Sequence, residues 1–516
     1  VAIIASETLA RQGDVCDHNQ DIGSVKRSVE NFVGRHVKEF FGEYSRNVSV
    51  VVAPGIGLFY DRDPQAGVRW STCNTENYTS SVFSQLLDIF EKEKPTRVIV
   101  DITHGVNYMP YLAVTAVEKA LKTYILGEML SSGSDRNGKS YSILVVNSDP
   151  YTPLPPQSRG EAESSSSIVL NVNVITCREI KEPAQLLEEL LLELDSVRHE
   201  RGGGVRIYRV KNLDKAKSLL DGLKYYNEKV EREIEKAARI LKGLEYGLLL
   251  YVASELDSIR AASEYEGGFE ECLKLTKYAL EYIDRSAEVN CSNDTQRIHR
   301  SILRVHRSIW INSLVLSTAV KSCITLRGLI GKLTSSLGQP LAQSTLADKF
   351  FKLNDLKSLI DYIPSRPSRE LASYEVRDIK CRTCLIAFLF DCVIGREVPY
   401  EVVYDVTEEI YSLIRSKLGE EELRRVKYKC EELTESEIET IKKVIESCKE
   451  TAGTDSCSKV REFEKRLCTG VSVSQQCSDD ERNFYAHAGF EKNVTVVRID
   501  MSEGGKLEVL IGYKRE

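Results

Sequence analysis

Asp101-Ile-Thr-His-Gly-Val-Asn-Tyr-Met-Pro110 (DITHGVNYMP) marks the passage from a β-strand into an α-helix. The apolar stretch Arg97–Asp101 predicts the strand, and the apolar pattern over Tyr108–Leu130 predicts the helix. Gly105 permits the tight turn between them, and Pro110 is tolerated in the first turn of a helix. A short strand that leads into a helix is the repeating unit of an α/β fold.

The same turn predicts an anion site. Asn107 is suited to cap the helix, and the unpaired N–H groups at a helix start attract negative charge. Thr103, His104 and Asn107 add side-chain donors for a phosphate or a ribose, while Gly105 lets a ligand approach the backbone. The alternative is a capped turn with a satisfied histidine. The stretch is not GxGxxG, so it carries no dinucleotide fingerprint.

Residues 1–180 alternate predicted strands and helices. The strands are Val1–Ala5, Val48–Ala53, Arg97–Asp101, Tyr141–Asn147 and Ile168–Cys177, and the helices are Ser24–Phe41, Ser80–Glu93 and Tyr108–Leu130. This alternation predicts a parallel, doubly wound, Rossmann-like sheet. Ligands of such sheets bind beyond the carboxyl ends of the strands. We therefore expect Ser6 and Asn147, each at a strand end, on the same edge as Thr103.

From about residue 212 the pattern becomes helical. Helices are predicted at Asn212–Leu223, Glu228–Ala262, Asp294–Leu337, Leu346–Tyr362, Glu375–Val393, Val403–Lys417 and Glu435–Lys449. Two strands, Val494–Asp500 and Lys506–Tyr513, flank Glu503-Gly-Gly505 and predict a terminal β-hairpin. The fold class is therefore α/β followed by α.

Length and charge limit the function. The 516 residues are enough for two or three domains, and the net charge of -7 disfavours broad coating by nucleic acid, although a local basic groove is compatible with it. No run of 18 apolar residues occurs, so no membrane span is expected. The apolar start at Val1 is too short for a signal peptide. We expect a cytoplasmic protein.

Fourteen scattered cysteines are more compatible with buried small side chains than with zinc. The pair Cys381 and Cys384 is the one CxxC, and no second pair accompanies it. Few methionines, many tyrosines and abundant cysteines fit a thermophile, in which cytosolic disulfides occur. Candidate disulfide partners are Cys448, Cys457, Cys468 and Cys477, with no connectivity determined.

A literal Walker A match, Gly133–Ser140 (GSDRNGKS), has the wrong context. A P-loop runs from a strand into a helix, whereas this stretch follows a helix and enters the strand at Tyr141. It has no helix start to hold phosphates, so ATP hydrolysis is disfavoured.

Glu481–Gly489 (ERNFYAHAG) is the stretch whose residue types most clearly suggest a catalytic site. Asn483 and His487 share one face of a short predicted helix that Gly489 closes, and Arg482 lies beside them. A guanidinium binds phosphate oxygens, and an imidazole moves protons near neutral pH. The motif therefore suits phosphodiester cleavage without a metal. The structural alternative is a salt bridge from Arg482 to a neighbouring aspartate, Asp479 or Asp480.

Similar Arg–His spacings occur elsewhere in the chain, and they are weaker evidence for a catalytic site. Arg11 precedes His18, and Arg97 lies at the opposite end of a predicted strand from His104. Arg300 and His306 fall in the long predicted helix 294–337, where a structural role is expected.

The stretches Asp101–Pro110, Asn147–Tyr151 (NSDPY) and Glu481–Gly489 together resemble the CRISPR-associated CARF–HEPN ribonucleases that accompany type III systems. The resemblance implies a CARF domain over residues 1–180, a helical connector over 181–290 and a HEPN domain over 291–516.

The resemblance also implies an activator and a reaction. The CARF domain would bind a cyclic oligoadenylate, cyclic tetra-adenylate in particular, and the HEPN domain would cleave single-stranded RNA without a metal or another cofactor. Arg482 and His487 of two subunits would meet in one composite site, with Asn483 as a helper. A homodimer or a higher oligomer follows, and the products would be a 2′,3′-cyclic phosphate and a 5′-OH. The implied ligand-binding residues are Thr103, His104, Gly105 and Asn107, to which the strand-end argument adds Ser6 and Asn147.

Three other hypotheses about the function are compatible with the sequence. The helical part could bind DNA and make the protein a ligand-responsive regulator, which the acidic charge disfavours. The sensor domain could also hydrolyse its cyclic ligand with help from Thr103, His104 or Ser6. A catalytically dead HEPN pair is disfavoured because both Arg482 and His487 are present.

Overall fold

The computed structural model describes residues 1–16, 20–60, 68–72, 75–103, 109–131, 140–148, 171–180, 182–199, 205–261, 269–293, 301–333, 349–450, 462, 465, 467–468, 489–490, 492, 494–502 and 506–513. The chain divides into two compact units. The first is Val1–Ala237 with Gly267–Thr325, and the second is Ala238–Glu266 with Leu326–Glu516. The predicted connector 181–290 is thus shared between the units.

The first unit contains eleven strands within the described residues. They are β1 (Ala2–Ser6), β2 (Ser49–Ala53), β3 (Gly57–Tyr60), β4 (Val68–Thr72), β5 (Arg97–Asp101), β6 (Tyr141–Ser148), β7 (Val172–Ile180), β8 (Tyr208–Val210), β9 (Ala287–Asn293), β10 (Ser301–Arg307) and β11 (Ile309–Ile311). Its helices are α1 (Gln12–Cys16), α2 (Ile22–Phe41), α3 (Thr75–Glu93), α4 (Met109–Ser131), α5 (Pro183–His199), α6 (Leu213–Ala216) and α9 (Phe269–Arg285), with most of α7 (Leu220–Glu245) and α10 (Ser313–Leu333).

Two of the described strand pairs before residue 149 are parallel, and the pair β3–β4 is antiparallel. β1 pairs with β2, and β5 pairs with β6, both in parallel. β7 differs from the predicted all-parallel sheet because it runs antiparallel to β6. A parallel pairing needs a crossover of a dozen residues or more, usually a helix, and the sequence between these strands (SRGEAESSSS in its centre) has no helical pattern.

Helix α2 shows how an amphipathic pattern forms the core of this unit. Val25, Val29, Val33 and Val37 follow one another at four-residue spacing and are all buried. Asp21 caps the helix start, where its carboxylate accepts a 2.6 Å hydrogen bond from the Ser24 N–H. The valine stripe packs in one cluster with residues of β1, β2 and β10.

The predicted helix 294–337 is wrong in its first half. Residues 301–307 form β10, which pairs antiparallel with β9, and residues 309–311 form β11, which pairs with β8. Leu303 and Val305 are fully buried, whereas Arg304 and His306 are exposed. This alternation has the period of two that belongs to a strand with one buried face. The helical part begins at Ser313.

The polar face of α3 is buried against β11. The Asn77 amide donates to the Ile309 carbonyl at 2.9 Å and accepts from the Ile311 N–H at 2.8 Å. The Ser80 hydroxyl donates to the Ile311 carbonyl at 3.0 Å. These side chains complete the hydrogen bonds of an edge strand, which explains why polar residues occupy a buried helix face.

Within the described residues, one helix, α10, is long and apolar enough to cross a membrane, and 78% of its apolar window is buried inside the protein. Lys321 in this helix is buried and forms a 2.7 Å ion pair with Glu193 of α5. Such burial and pairing are typical of a core helix.

The second unit is mainly helical. Its described helices are α8 (Leu249–Ala261), α11 (Leu353–Leu359), α12 (Arg366–Leu389), α13 (Tyr400–Lys417), α14 (Glu420–Tyr428) and α15 (Glu435–Glu450). Strands β12 (Phe351–Lys352), β13 (Glu397–Pro399), β14 (Thr495–Met501) and β15 (Leu507–Tyr513) form one sheet in the order β12-β15-β14-β13. β14 and β15 pair antiparallel, and they lie at the centre of this sheet.

The cysteines form several disulfides, whereas most were expected to be buried free thiols. Four disulfides join described residues: Cys16–Cys291, Cys272–Cys323, Cys381–Cys430 and Cys392–Cys468. Cys381 of the CxxC pairs with a distant cysteine, and Cys468, a predicted disulfide partner, pairs with Cys392. The separations of 49 to 275 residues explain why spacing along the chain gave no connectivity.

Candidate functional site

Thr103 joins the carboxyl ends of β5 and β6. Its backbone N–H and its hydroxyl both donate to the Asp101 carboxylate, at 2.9 and 2.5 Å, and its hydroxyl oxygen accepts from the Ser148 N–H at 2.8 Å. The one proton of the hydroxyl is therefore directed to Asp101, although the sequence pattern predicts a donor to the ligand. In this geometry the Thr103 side chain fixes the end of β5 against the end of β6.

Asn147 lies beside this junction. It is half-buried in β6, immediately before Ser148, and its register partner in β7 is Asn173. Asp101 is in register with Val146, so Thr103 and Asn147 occupy the same end of two neighbouring parallel strands. The structure thus brings together these two predicted ligand residues on one edge.

Ser6 occupies the carboxyl end of β1, which pairs with β2 in a separate two-stranded ladder. Its hydroxyl oxygen accepts from the Thr8 N–H at 3.2 Å and from the Thr8 hydroxyl at 2.9 Å, which caps the short 3₁₀ helix Glu7–Leu9. Its own O–H is directed to neither of these groups, so Ser6 can donate to a ligand. A side chain at Gly55 would approach the Thr8 methyl group to 2.7 Å, so glycine is needed beside this turn.

Glu7 holds the same turn through buried contacts. The sequence pattern did not predict this role for Glu7. Its carboxylate is fully buried and forms a 2.5 Å ion pair with Arg307 of β10, whose side chain is 5% exposed. The other carboxylate oxygen accepts from the Gly55 N–H at 3.4 Å, and Arg307 also donates to the Ile283 carbonyl at 3.3 Å. The one sequence signal is a carboxylate directly after an apolar strand.

Six predicted site residues lie outside the described residues. They are His104, Gly105, Asn107, Arg482, Asn483 and His487. Their flanks are described: α4 begins at Met109, and Gly489 has a φ of 79°. That conformation favours glycine, and a side chain there would also approach the Leu248 Cα to 3.4 Å. The Arg–His motif thus ends at a position that requires glycine.

A buried cation organises the helices of the second unit. The Arg382 guanidinium donates to Asp378 and Glu408 at 2.6 Å and to the Thr407 hydroxyl at 2.8 Å, and it lies 4.2 Å from the ring centre of Tyr404. Burial alone would lower the pKa of Arg382, but the Asp378 carboxylate outweighs burial and the pKa is raised. The cation stays charged and ties α12 to α13.

Among the described residues, no group of three His, Cys, Asp or Glu side chains is arranged to hold a metal ion. Metal-independent chemistry remains a prediction, because the Arg–His motif lies outside that part of the chain.

Comparison with known proteins accounts for both ends of the chain. Residues 1–150 match the CARF domain of the CRISPR system endoribonuclease Csx1, and residues 408–516 match the HEPN domain of the same family. A CRISPR system endoribonuclease Csx1 from Methanocaldococcus jannaschii is 27% identical over 132 residues. That match covers 25% of this chain and 24% of the relative, so the chain spans about a quarter of the relative's length.

An N-terminal CARF match followed by a C-terminal HEPN match is the domain order of the CARF–HEPN class. The resemblance drawn from DITHGVNYMP and ERNFYAHAG is confirmed: the two ends of the chain match the CARF and HEPN domains of a CRISPR-associated CARF–HEPN ribonuclease. The predicted ligand residues fall within 1–150, and Arg482, Asn483 and His487 fall within 408–516.

Proposed function

We propose that this protein is a cyclic oligoadenylate-activated, metal-independent endoribonuclease that cleaves single-stranded RNA in type III CRISPR defence. The observation that carries the proposal is the pair of domain matches, each of which contains one of the two polar motifs. A HEPN match at the C-terminus also supports RNA cleavage over the alternative of a DNA-binding regulator.

The sensing step rests on the strand ends of the first unit. Thr103 fixes the end of β5 against β6, and α4, a helix whose start offers backbone N–H groups, begins at Met109. Phosphates of a cyclic oligoadenylate, cyclic tetra-adenylate in particular, would bind these N–H groups together with His104 and Asn107. A ring of repeating nucleotides suits a homodimer, since two equivalent edges can share it.

The cleavage step follows from the residue types of the motif. A ribose 2′-OH attacks the adjacent phosphorus, the P–O5′ bond breaks, and the products are a 2′,3′-cyclic phosphate and a 5′-OH. Arg482 stabilises the charge that accumulates on the phosphorus oxygens. His487 transfers a proton to or from the reacting oxygens, a contribution of roughly 10²–10⁴-fold. Asn483 orients His487 or binds the phosphate.

A cytoplasmic location is part of the proposal, because the activator and the RNA are made in the cytoplasm. The four disulfides are compatible with it if the source is a hyperthermophile, whose intracellular proteins are rich in disulfides.

The decisive experiment incubates the protein and its His487→Ala variant with end-labelled RNA, with and without cyclic tetra-adenylate, in EDTA. Cleavage should require the activator and continue in EDTA, and His487→Ala should abolish it. His36→Ala is the matched control: His36 is an exposed histidine of α2, bonded to the Phe32 carbonyl, and its variant should cleave normally. Cleavage by His487→Ala, or loss in EDTA that Mg²⁺ restores, would refute the assignment.

A further inference from the structure

A cavity of about 350 Å³ opens in the first unit, at the carboxyl end of β2. Pro54 and Gly55 form one wall, and Ser308 and Trp310, from the segment around β11, form another. The opposite side is formed by the loop from β8 to α6, with Lys211, Asn212 and Lys215, and by Glu288 and His306 of the β9–β10 hairpin. The volume lies in the range of small-molecule sites.

Positive charge gathers around this cavity in a protein that is acidic as a whole. Lys211 and Lys215 line the cavity and are exposed, as is Arg304, two residues before His306 in β10, and Glu288 in the cavity lining pairs with Lys215. Burial lowers the pKa of His306, as do Lys215, Arg304 and Lys211, whereas Glu288 opposes the change. Three cations and Glu288 therefore lie near His306.

An aromatic ring completes the set. Trp310 is half-buried in the cavity wall, and the Lys211 ammonium lies 5.6 Å from its ring centre. An indole face beside several cations is the combination that binds a nucleotide, because the base stacks on the ring and the phosphate pairs with the cations. An inorganic anion alone would not need the ring.

We propose that this cavity is a nucleotide-binding site, in which a base stacks on Trp310 and its phosphate contacts Lys211 and Lys215. The cavity lining includes no residue of β5 or β6, so it does not contain Thr103 or Asn147; the end of β2 and the β8–β11 segments build it. The nucleotide can be a free nucleoside phosphate or one residue of single-stranded RNA, which offer the same chemistry.

Trp310 is itself the reporter for the test. The chain has two tryptophans, Trp70 and Trp310, so Trp70→Phe leaves Trp310 as the single indole fluorophore. AMP should quench its emission with a saturating curve, and adenosine should bind at least tenfold more weakly because it lacks the phosphate.

A 5′-phosphorylated RNA hexamer is the second ligand, used in the His487→Ala background so that it is not cut. Affinity for the hexamer more than tenfold above that for AMP would assign the site to RNA, and equal affinity would assign it to free nucleotide.

Variants in the Trp70→Phe protein separate this site from others. Lys211→Ala and Lys215→Ala should each raise Kd about fivefold or more. For the RNA, each variant should also flatten the slope of log K against log salt by about 0.7, because one phosphate is no longer neutralised. Lys38→Ala, an exposed lysine of α2, is the matched control and should bind normally.

Circular dichroism and Tm verify that each variant is folded. Absence of saturable quenching by both ligands would overturn the proposal, and so would an unchanged Kd in both lysine variants. Neither result depends on RNA cleavage, so the proposed nuclease function is tested separately.

Discussion

Arg307→Met should destabilise the first unit far more than Arg304→Met, an exposed substitution in the same strand. Arg307 pairs with Glu7 at 2.5 Å, and the two side chains are 5% and 0% exposed. Methionine fills a similar volume but removes the positive charge and the bond to the Ile283 carbonyl. The Glu7 carboxylate would then be buried with the weak 3.4 Å contact from the Gly55 N–H.

The expected loss is about 3–5 kcal/mol of unfolding free energy, the cost of leaving one partner of a buried ion pair uncompensated. The double variant Glu7→Gln/Arg307→Met should recover most of this loss, because the isolated charge is gone and an amide can still accept from Gly55. The recovery is the more discriminating result. If the variants only lost packing, their separate losses of unfolding free energy would add in the double variant.

Urea unfolding, followed by hydrogen exchange of the peptide that covers Ala2–Ser6, measures the first unit independently of the second. Arg304→Met is the matched control: it lies three residues away in β10 but is exposed, so little change is expected. All variants are compared with their disulfides intact. A loss below about 1 kcal/mol for Arg307→Met, or a double variant less stable than the single one, would refute the reasoning.

Further predictions concern the ligand turn, the nuclease motif, a disulfide and a tyrosine. Gly105→Val should weaken cyclic tetra-adenylate binding measured by calorimetry, because a side chain blocks approach to the backbone; unchanged affinity would mean that the turn is not the site. Arg482→Lys should abolish RNA cleavage while ligand binding persists, because an ammonium lacks the forked geometry; a fully active variant would exclude a bidentate role. Cys272→Ser/Cys323→Ser should cost about 4 kcal/mol from loop entropy alone, given the separation of 51 residues, and an unchanged Tm would contradict this. Burial raises the pKa of Tyr78 to about 12, so the unfolded tyrosine loses its proton first and stability should fall as pH rises from 10 to 12. Tyr78→Phe should reduce that slope in unfolding experiments between about pH 10 and pH 12, and an equal slope would show that other groups cause it.

The sequence by itself determined the local elements whose hydrophobic period is unambiguous. The strand Arg97–Asp101 has the predicted bounds, and the helix predicted at Tyr108–Leu130 is observed at Met109–Ser131. Both signals are short-range: an apolar strand before a glycine turn, and a long apolar helix after it. The two polar motifs, DITHGVNYMP and ERNFYAHAG, were also recognisable from the sequence. Their order along the chain indicated the resemblance to the CARF–HEPN ribonucleases.

Tertiary structure decided the elements whose local signal is ambiguous. Ser301–Arg307 is predicted as helix because its apolar residues also fit a helical stripe, yet it forms β10. A strand is stable there because β9 supplies its hydrogen bonds and the core accepts Leu303 and Val305. Propensity is a weak prior, and pairing with a distant strand overrides it.

The same reason applies to the site. Glu7 and Arg307 meet across 300 residues of sequence, and Cys16 and Cys291 across 275, so nothing in their local surroundings marks either pair. Thr103 was found from sequence, but the destination of its proton depends on Asp101 and on the neighbouring strand at Ser148. Residue types set which chemistry is available, and long-range packing sets which atoms are left to perform it.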